Sequence, residues 1–102
     1  MARRLQLHEK FCTILGTRNV YFQPPESLKI KYDAIVYKVA NRDTLKADDS
    51  LYNGRTGYEV QFITRDPDST IPDLILGSFL YVYHERSFTI DNLHHEVFRI
   101  YY

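Results

Sequence analysis

A single cysteine, Cys12, rules out an internal disulfide and a zinc knuckle. The four glycines, Gly16, Gly54, Gly57 and Gly77, lie far apart or in turn-like contexts, so no phosphate-cradling loop exists. Tryptophan is absent. No apolar run approaches the length of a membrane span. Met1-Ala2-Arg3-Arg4 is followed by no continuous apolar stretch, which argues against a signal peptide. Repeats and low-complexity tracts are missing. Net charge is missing too: 13 basic side chains balance 13 acidic ones. That is a poor composition for a dedicated duplex binder, which needs many phosphate contacts.

What is present is an ordinary globular composition with a surplus of aromatics. The chain is 44% hydrophobic and 25% charged, which argues against disorder. Its 102 residues make one α+β domain, residues 1–102. A chain of this size buries roughly 60–70% of its unfolded surface, so partner burial would add useful stability. Nine tyrosines and six phenylalanines suit strands, and tyrosine also suits protein interfaces. The charges are unevenly spread. Residues 1–32 hold six basic side chains against two acidic ones, a balance of +4, and residues 33–102 therefore carry −4. Such a dipolar chain can pair head to side with copies of itself or with a complementary partner.

The expected element order is α-β-β-β-α-β-β, an antiparallel sheet of four to five strands with two helices on one face. The first helix runs from Arg3 to Leu15, because Leu7, Phe11, Ile14 and Leu15 form one stripe. Gly16 is placed to end it, and Cys12 falls on its apolar side. Val20 to Phe22 makes a short edge strand that Pro24 and Pro25 stop. Ala34 to Ala40 and Tyr58 to Thr64 alternate in polarity as strands do, and pair antiparallel. Asp68 or Ser69 caps a short helix over Thr70 to Gly77, with Pro72 in its first turn. Phe79 to Thr89 reads as a strand with a break at Arg86-Ser87. Asp91-Asn92 is a turn, and His95 to Tyr102 is the closing strand.

Nothing in the sequence looks catalytic. Serine, histidine and aspartate are present, but none sits in a motif that positions a nucleophile. His84, His94, His95, Glu96 and Asp91 are the one cluster with metal-ligating types. His94 and His95 are adjacent, so on a strand they point to opposite faces and cannot share an ion; the expectation is no metal and no cofactor. Gly54-Arg55-Thr56-Gly57 lacks the helices that an RNA-clamping loop requires and reads as loop flexibility. The long polar connection Asp43 to Gly57 is the candidate partner surface. It mixes charges with Leu45, Leu51 and Tyr52, apolar groups that are exposed unless something covers them. The candidate interface residues are Leu45, Asp48, Asp49, Leu51, Tyr52 and Arg55 in this connection, with Tyr21 and Phe22 on the edge strand.

Several segments, taken in order, resemble the tail-terminator (tail-completion) proteins of long-tailed phages. They are Leu15-Gly16 with Arg18-Asn19-Val20-Tyr21-Phe22-Gln23-Pro24-Pro25, Ile35-Val36-Tyr37, Tyr58-Glu59-Val60, Asp66-Pro67-Asp68-Ser69, Asp91-Asn92-Leu93, Phe98 and Tyr101-Tyr102. Asp33 stands where the resemblance leads one to expect proline. The resemblance implies a structural virion protein and not an enzyme. It implies a homo-oligomeric ring, typically a hexamer, on the head-proximal end of the tail tube. Such a ring stops polymerisation of the tail tube protein and offers a surface to the head-side connector or stopper protein. DNA passes through the lumen without specific binding, which the acidic residues 33–102 would line. The implied location is the virion neck, and the host cytoplasm during assembly. Alternatives left open are another neck component, such as a head-completion or stopper protein, and a small nucleic-acid-binding regulator.

Overall fold

The computed structural model describes residues 3–25, 27–41 and 55–102. The element order is α1 (Arg3–Leu15), β1 (Val20–Phe22), β2 (Ala34–Asn41), β3 (Gly57–Thr64), α2 (Ile71–Ser78), β4 (Val82–Ile90) and β5 (Leu93–Tyr101). The five strands form one sheet in the order β1-β2-β3-β5-β4. Among the described residues, no helix is long and apolar enough to cross a membrane.

Helix α1 forms where the apolar stripe predicts it. Gly16 ends it in the left-handed region, φ 83°, and its N–H donates to the Cys12 carbonyl at 2.9 Å. Leu7, Phe11 and Cys12 enter one core with Val20, Ile35, Tyr37, Tyr58, Val60, Phe62, Phe98 and Ile100 of the sheet and Ile75 of α2. Both helices therefore cover the same sheet face, as expected. Cys12 is a small core residue, and burial pushes its thiol pKa up.

The sheet is mixed, not wholly antiparallel. β1 pairs with β2 in parallel, Val20 opposite Ile35 and Phe22 opposite Tyr37. The other pairings are antiparallel, as expected. Pattern within β1 shows that it is a strand, but not which way its neighbour runs. The link from β1 to β2 supplies the crossover that a parallel pair needs. It passes over β1, where the Lys31 N–H donates to the Tyr21 hydroxyl at 3.3 Å.

Two expectations shift in detail. β4 starts at Val82 and not at Phe79, because Phe79 fills the gap between α1 and the sheet. Its ring packs 5.6 Å from Phe11 and 6.1 Å from Tyr102, centroid to centroid. The expected break in β4 is a bulge: the register shifts between His84 and Arg86. His84 pairs with Phe98 on the core face, whereas Arg86 pairs with Val97 on the open face. Asp91 and Asn92 both have positive φ, 52° and 64°, and close the β4–β5 hairpin as a two-residue turn.

At the start of α2, Thr70 occupies the N-cap position without a side-chain bond. Ser69 Oγ instead accepts the Ile71 N–H at 3.3 Å, and Asp66 Oδ1 accepts the Asp68 N–H at 2.9 Å. Thr56 is not loose. It exchanges two backbone bonds with Tyr102, at 3.1 and 3.2 Å, and so extends the β3–β5 ladder.

Phe11 ties the layers together, in contact with Tyr37 of β2 and with Phe79. Phe11→Ala is expected to cost about 3–5 kcal/mol by lost burial and a residual cavity. Urea unfolding reads it as a lower midpoint at unchanged slope. A loss under about 1 kcal/mol would mean that α1 does not pack here.

Candidate functional site

The strand order sorts the chain's charge across the sheet. The basic segment, residues 1–32, builds α1 and β1 at one edge. β2 and β3 lie in the middle, where the described charges are Asp33, Lys38, Arg55, Glu59 and Arg65. Residues 66–102 carry six acids against two bases; they build α2, the inner strand β5 and the outer strand β4, with Asp66 and Asp68 in the turn after β3. Part of that segregation carries into space: Lys29 and Lys31 lie by β1, and Asp73, Glu85 and Asp91 by α2 and β4, whereas Lys10 reaches Ser78 of α2 and Asp66 lies beside Thr64 at the end of β3.

The basic edge is bounded by β1 and its connector. Lys29 and Lys31 are exposed there, with the apolar side chains Leu28 and Tyr32. Arg18 forms a bidentate pair with Glu9, at 2.9 and 3.0 Å, which holds the Glu9 carboxyl below its ordinary pKa. Gln23 ends β1 with φ 44°. Its N–H donates to the Tyr37 carbonyl, and its side-chain Oε1 accepts the Val39 N–H at 3.2 Å. A side chain thus replaces the strand that Pro24 and Pro25 cannot continue.

The acidic edge is bounded by β4, with α2 above it. Asp73 on α2, Glu85 at the bulge and Asp91 at the hairpin tip are exposed. Leu76 on α2 and Leu80 before β4 are exposed, Leu80 by 80%, and Leu80 lines a groove with Lys10 of α1. α2 is apolar nearly all round, whereas a helix of that character is ordinarily enclosed.

The open sheet face carries cross-strand charge pairs. Lys38 reaches Glu59 at 3.8 Å, and Arg99 reaches Glu85 at 3.3 Å. These are surface pairs of small energetic weight. A groove of about 410 Å³ lies between α1, the link from α2 to β4 and the Tyr101-Tyr102 end of the chain. Lys10 lies on it, donating to the Ser78 carbonyl at 3.3 Å and sitting 5.0 Å from the Phe79 ring centroid.

The sequence-predicted interface residues fall into two groups. Leu45, Asp48, Asp49, Leu51 and Tyr52 lie outside the described residues. Tyr21, Phe22 and Arg55 lie within them, and all three have contacts inside the chain. Tyr21 holds the β1–β2 connector. Phe22 is half-buried, 5.0 Å from the Tyr37 ring, with the Arg4 guanidinium 4.3 Å over its own ring. Arg55 lies 4.7 Å over the Tyr81 ring. They do not form one patch, since Tyr21 and Phe22 belong to one edge and Arg55 leads into the central strand β3. Sequence reasoning missed Leu76 and Leu80; the near-continuous apolar run of α2 was the available signal.

The histidines separate as strand geometry requires. His94 Nδ1 lies 3.1 Å from the Thr89 hydroxyl across the hairpin. His95, on the opposite face, stacks on Phe88 at 4.6 Å. His84 Nε2 meets Glu96 Oε1 at 2.7 Å. Among the described residues, no group of three or more His, Cys, Asp or Glu side chains is arranged to hold a metal.

No family model, curated protein or solved structure matches this chain.

One polar contact was not foreseen. The buried Tyr37 hydroxyl lies 2.8 Å from His8 Nδ1, and Arg4 Nη1 donates to it at 3.3 Å. Because Arg4 only donates, the hydroxyl hydrogen goes to a neutral His8. Burial lowers the His8 pKa, and the Arg4 and Arg18 charges lower it further against the opposing Glu9. The unfolded chain then binds more protons than the native one, so stability falls as pH drops through the ordinary histidine value of 6.5 and levels off below the native value. His95, also lowered by burial, adds to the same slope. Urea midpoints at pH 8 and pH 5 should show this loss. Tyr37→Phe should cost about 1 kcal/mol at pH 8 and flatten the acid slope. A midpoint that rises on acidification would contradict the assignment.

Proposed function

We propose that this chain is a structural protein of the phage neck. Copies of it form a ring on the head-proximal end of the tail tube, end tube polymerisation and present a surface to the head-side connector. The observation that carries this reading is the pair of unlike outer strands, β1 and β4, at opposite sides of one sheet. Two unlike edges on each subunit suit a heterologous contact, which closes into a ring when the rotation per subunit allows. Sheet edges also suit end-on addition to a polymer whose subunits pair by strands.

The residues that carry the resemblance support the same reading by their structural positions. Leu15-Gly16 ends α1, and Val20-Tyr21-Phe22 is β1. Asp66-Pro67-Asp68-Ser69 leads into α2, and Asp91-Asn92 closes the last hairpin. These are the turns and edges that set the outline of the molecule. Asp33 serves its position differently from a proline: its Oδ1 accepts the Thr64 hydroxyl at 2.7 Å, pinning the start of β2 to the end of β3.

In this reading the ring is a non-enzymatic stop, and the passage of DNA needs no specific contact with it. The test is polymerisation of tail tube protein with and without this chain, imaged by negative stain. Tubes of limited length with one extra ring at a single end are the expected result. Tubes that grow to the same length and carry no cap at any ratio would overturn the reading.

A further inference from the structure

We infer that copies of this chain join head to tail, the α2–β4 edge of one against the α1–β1 edge of the next, guided by opposite charge. The inference rests on the self-assembly reading above and adds which surfaces meet. It has three independent supports.

The first is charge. Lys29 and Lys31 are exposed at the β1 edge, and Asp73, Glu85 and Asp91, against Arg86, at the β4 edge. Opposite faces of opposite sign attract a neighbour in one orientation and repel it in the other two: basic against basic and acidic against acidic both bring like charges together.

The second is the backbone. In the β1–β2 ladder, the Asn19 carbonyl and the Gln23 N–H bond to β2. By alternation, Val20 and Phe22 turn their N–H and C=O groups away from the sheet. On the other edge the Tyr81 carbonyl accepts the Tyr101 N–H, so Val82 and His84 turn theirs outward. The lengths agree. β1 is three residues long, and the straight part of β4 before the bulge is also three, Val82 to His84. The bulge limits pairing further along β4, as bulges on edge strands do.

The third is apolar surface flanking each edge. Ile90 on β4 and Leu76 on α2 are exposed, and Leu28 and Tyr32 are exposed in the connector that follows β1. A head-to-tail contact brings these pairs toward one another and takes them out of water.

The experiment uses two charge-reversed forms of the full chain. One is Lys29→Glu with Lys31→Glu, which makes both edges acidic. The other is Asp73→Lys with Glu85→Lys, which makes both edges basic. Asp73→Lys alone is a milder acidic-edge change that keeps the Glu85–Arg99 pair. Circular dichroism checks that each is folded, and sedimentation velocity over a concentration series reads assembly. Wild-type assembly should weaken in 0.5 M NaCl, where charges are screened beyond roughly 4–5 Å. Each double reversal should raise the concentration needed for assembly at least roughly tenfold, and an equimolar mixture of the two should restore it.

Mixing is the decisive arm, because only a contact between unlike edges is rescued by it. If the Lys29→Glu, Lys31→Glu form assembles as well as wild type, the contact is between like edges or elsewhere and the inference fails. If wild-type rings form and neither reversal changes them, the inference fails while the ring reading stands. If assembly follows the charge pattern but yields open chains and never closed rings, the edge contact stands and the ring reading fails. A wild-type chain that stays monomeric at every concentration overturns the inference.

Discussion

The placement of one buried phenol governs this fold. Tyr37, on β2 next to the edge strand, is 1% exposed and ringed by Phe11, Phe22, Tyr58 and His8. Its hydroxyl needs partners in the interior, and α1 supplies both, His8 and Arg4. Meeting that requirement fixes the rotation of α1, which then drives Leu7 and Phe11 into the core. Arg4, held at the hydroxyl, also covers the Phe22 ring and so ties the short β1 to the same helix. Three residues of strand would be a weak edge alone. Here the edge is held by a helix whose own position is set by the phenol.

From that arrangement follows the separation of charge. Because the connector is held to β1, Lys29 and Lys31 stay at one side of the sheet. Because β5 pairs with β3 and β4 lies outside it, Glu85 and Asp91 stay at the other. Had β5 been the outer strand, the acidic residues of β4 would lie nearer the centre. The topology thus turns a gradient along the chain into two unlike edges, each with exposed apolar side chains beside it. That is the physical content of the assembly proposed for this protein.

Much of the fold was legible in local pattern. The stripe Leu7, Phe11, Ile14, Leu15 and the glycine after it marked α1 at both ends, because helix period and left-handed termination are properties of a few neighbouring residues. The alternation from Tyr58 to Thr64 and the Asp91-Asn92 turn were legible for the same reason. The direction of β1 was not, since strand pairing is decided by residues far apart in sequence. Phe79 read as strand because an aromatic beside Leu80 fits a strand as well as it fits a core plug; only the neighbouring α1 decides between them. The bulge at Glu85 showed as a break at Arg86-Ser87, one residue away. The candidate interface was less legible. Tyr21 and Phe22 lie on an edge but spend their side chains on the connector and on the core. The charge imbalance was readable as a sum, but its meaning depended on which strand lies outermost.

Hydrogen exchange on the edge amides, comparing dilute with assembled protein, tests the central claim most directly. The claim is that β1 and β4 are the meeting surfaces. Assembly should then slow exchange at Val20, Phe22, Val82 and His84, whose N–H groups point away from the sheet, while Ser87 and Thr89 beyond the bulge change little. Unchanged exchange at these four amides in a fully assembled sample would contradict it.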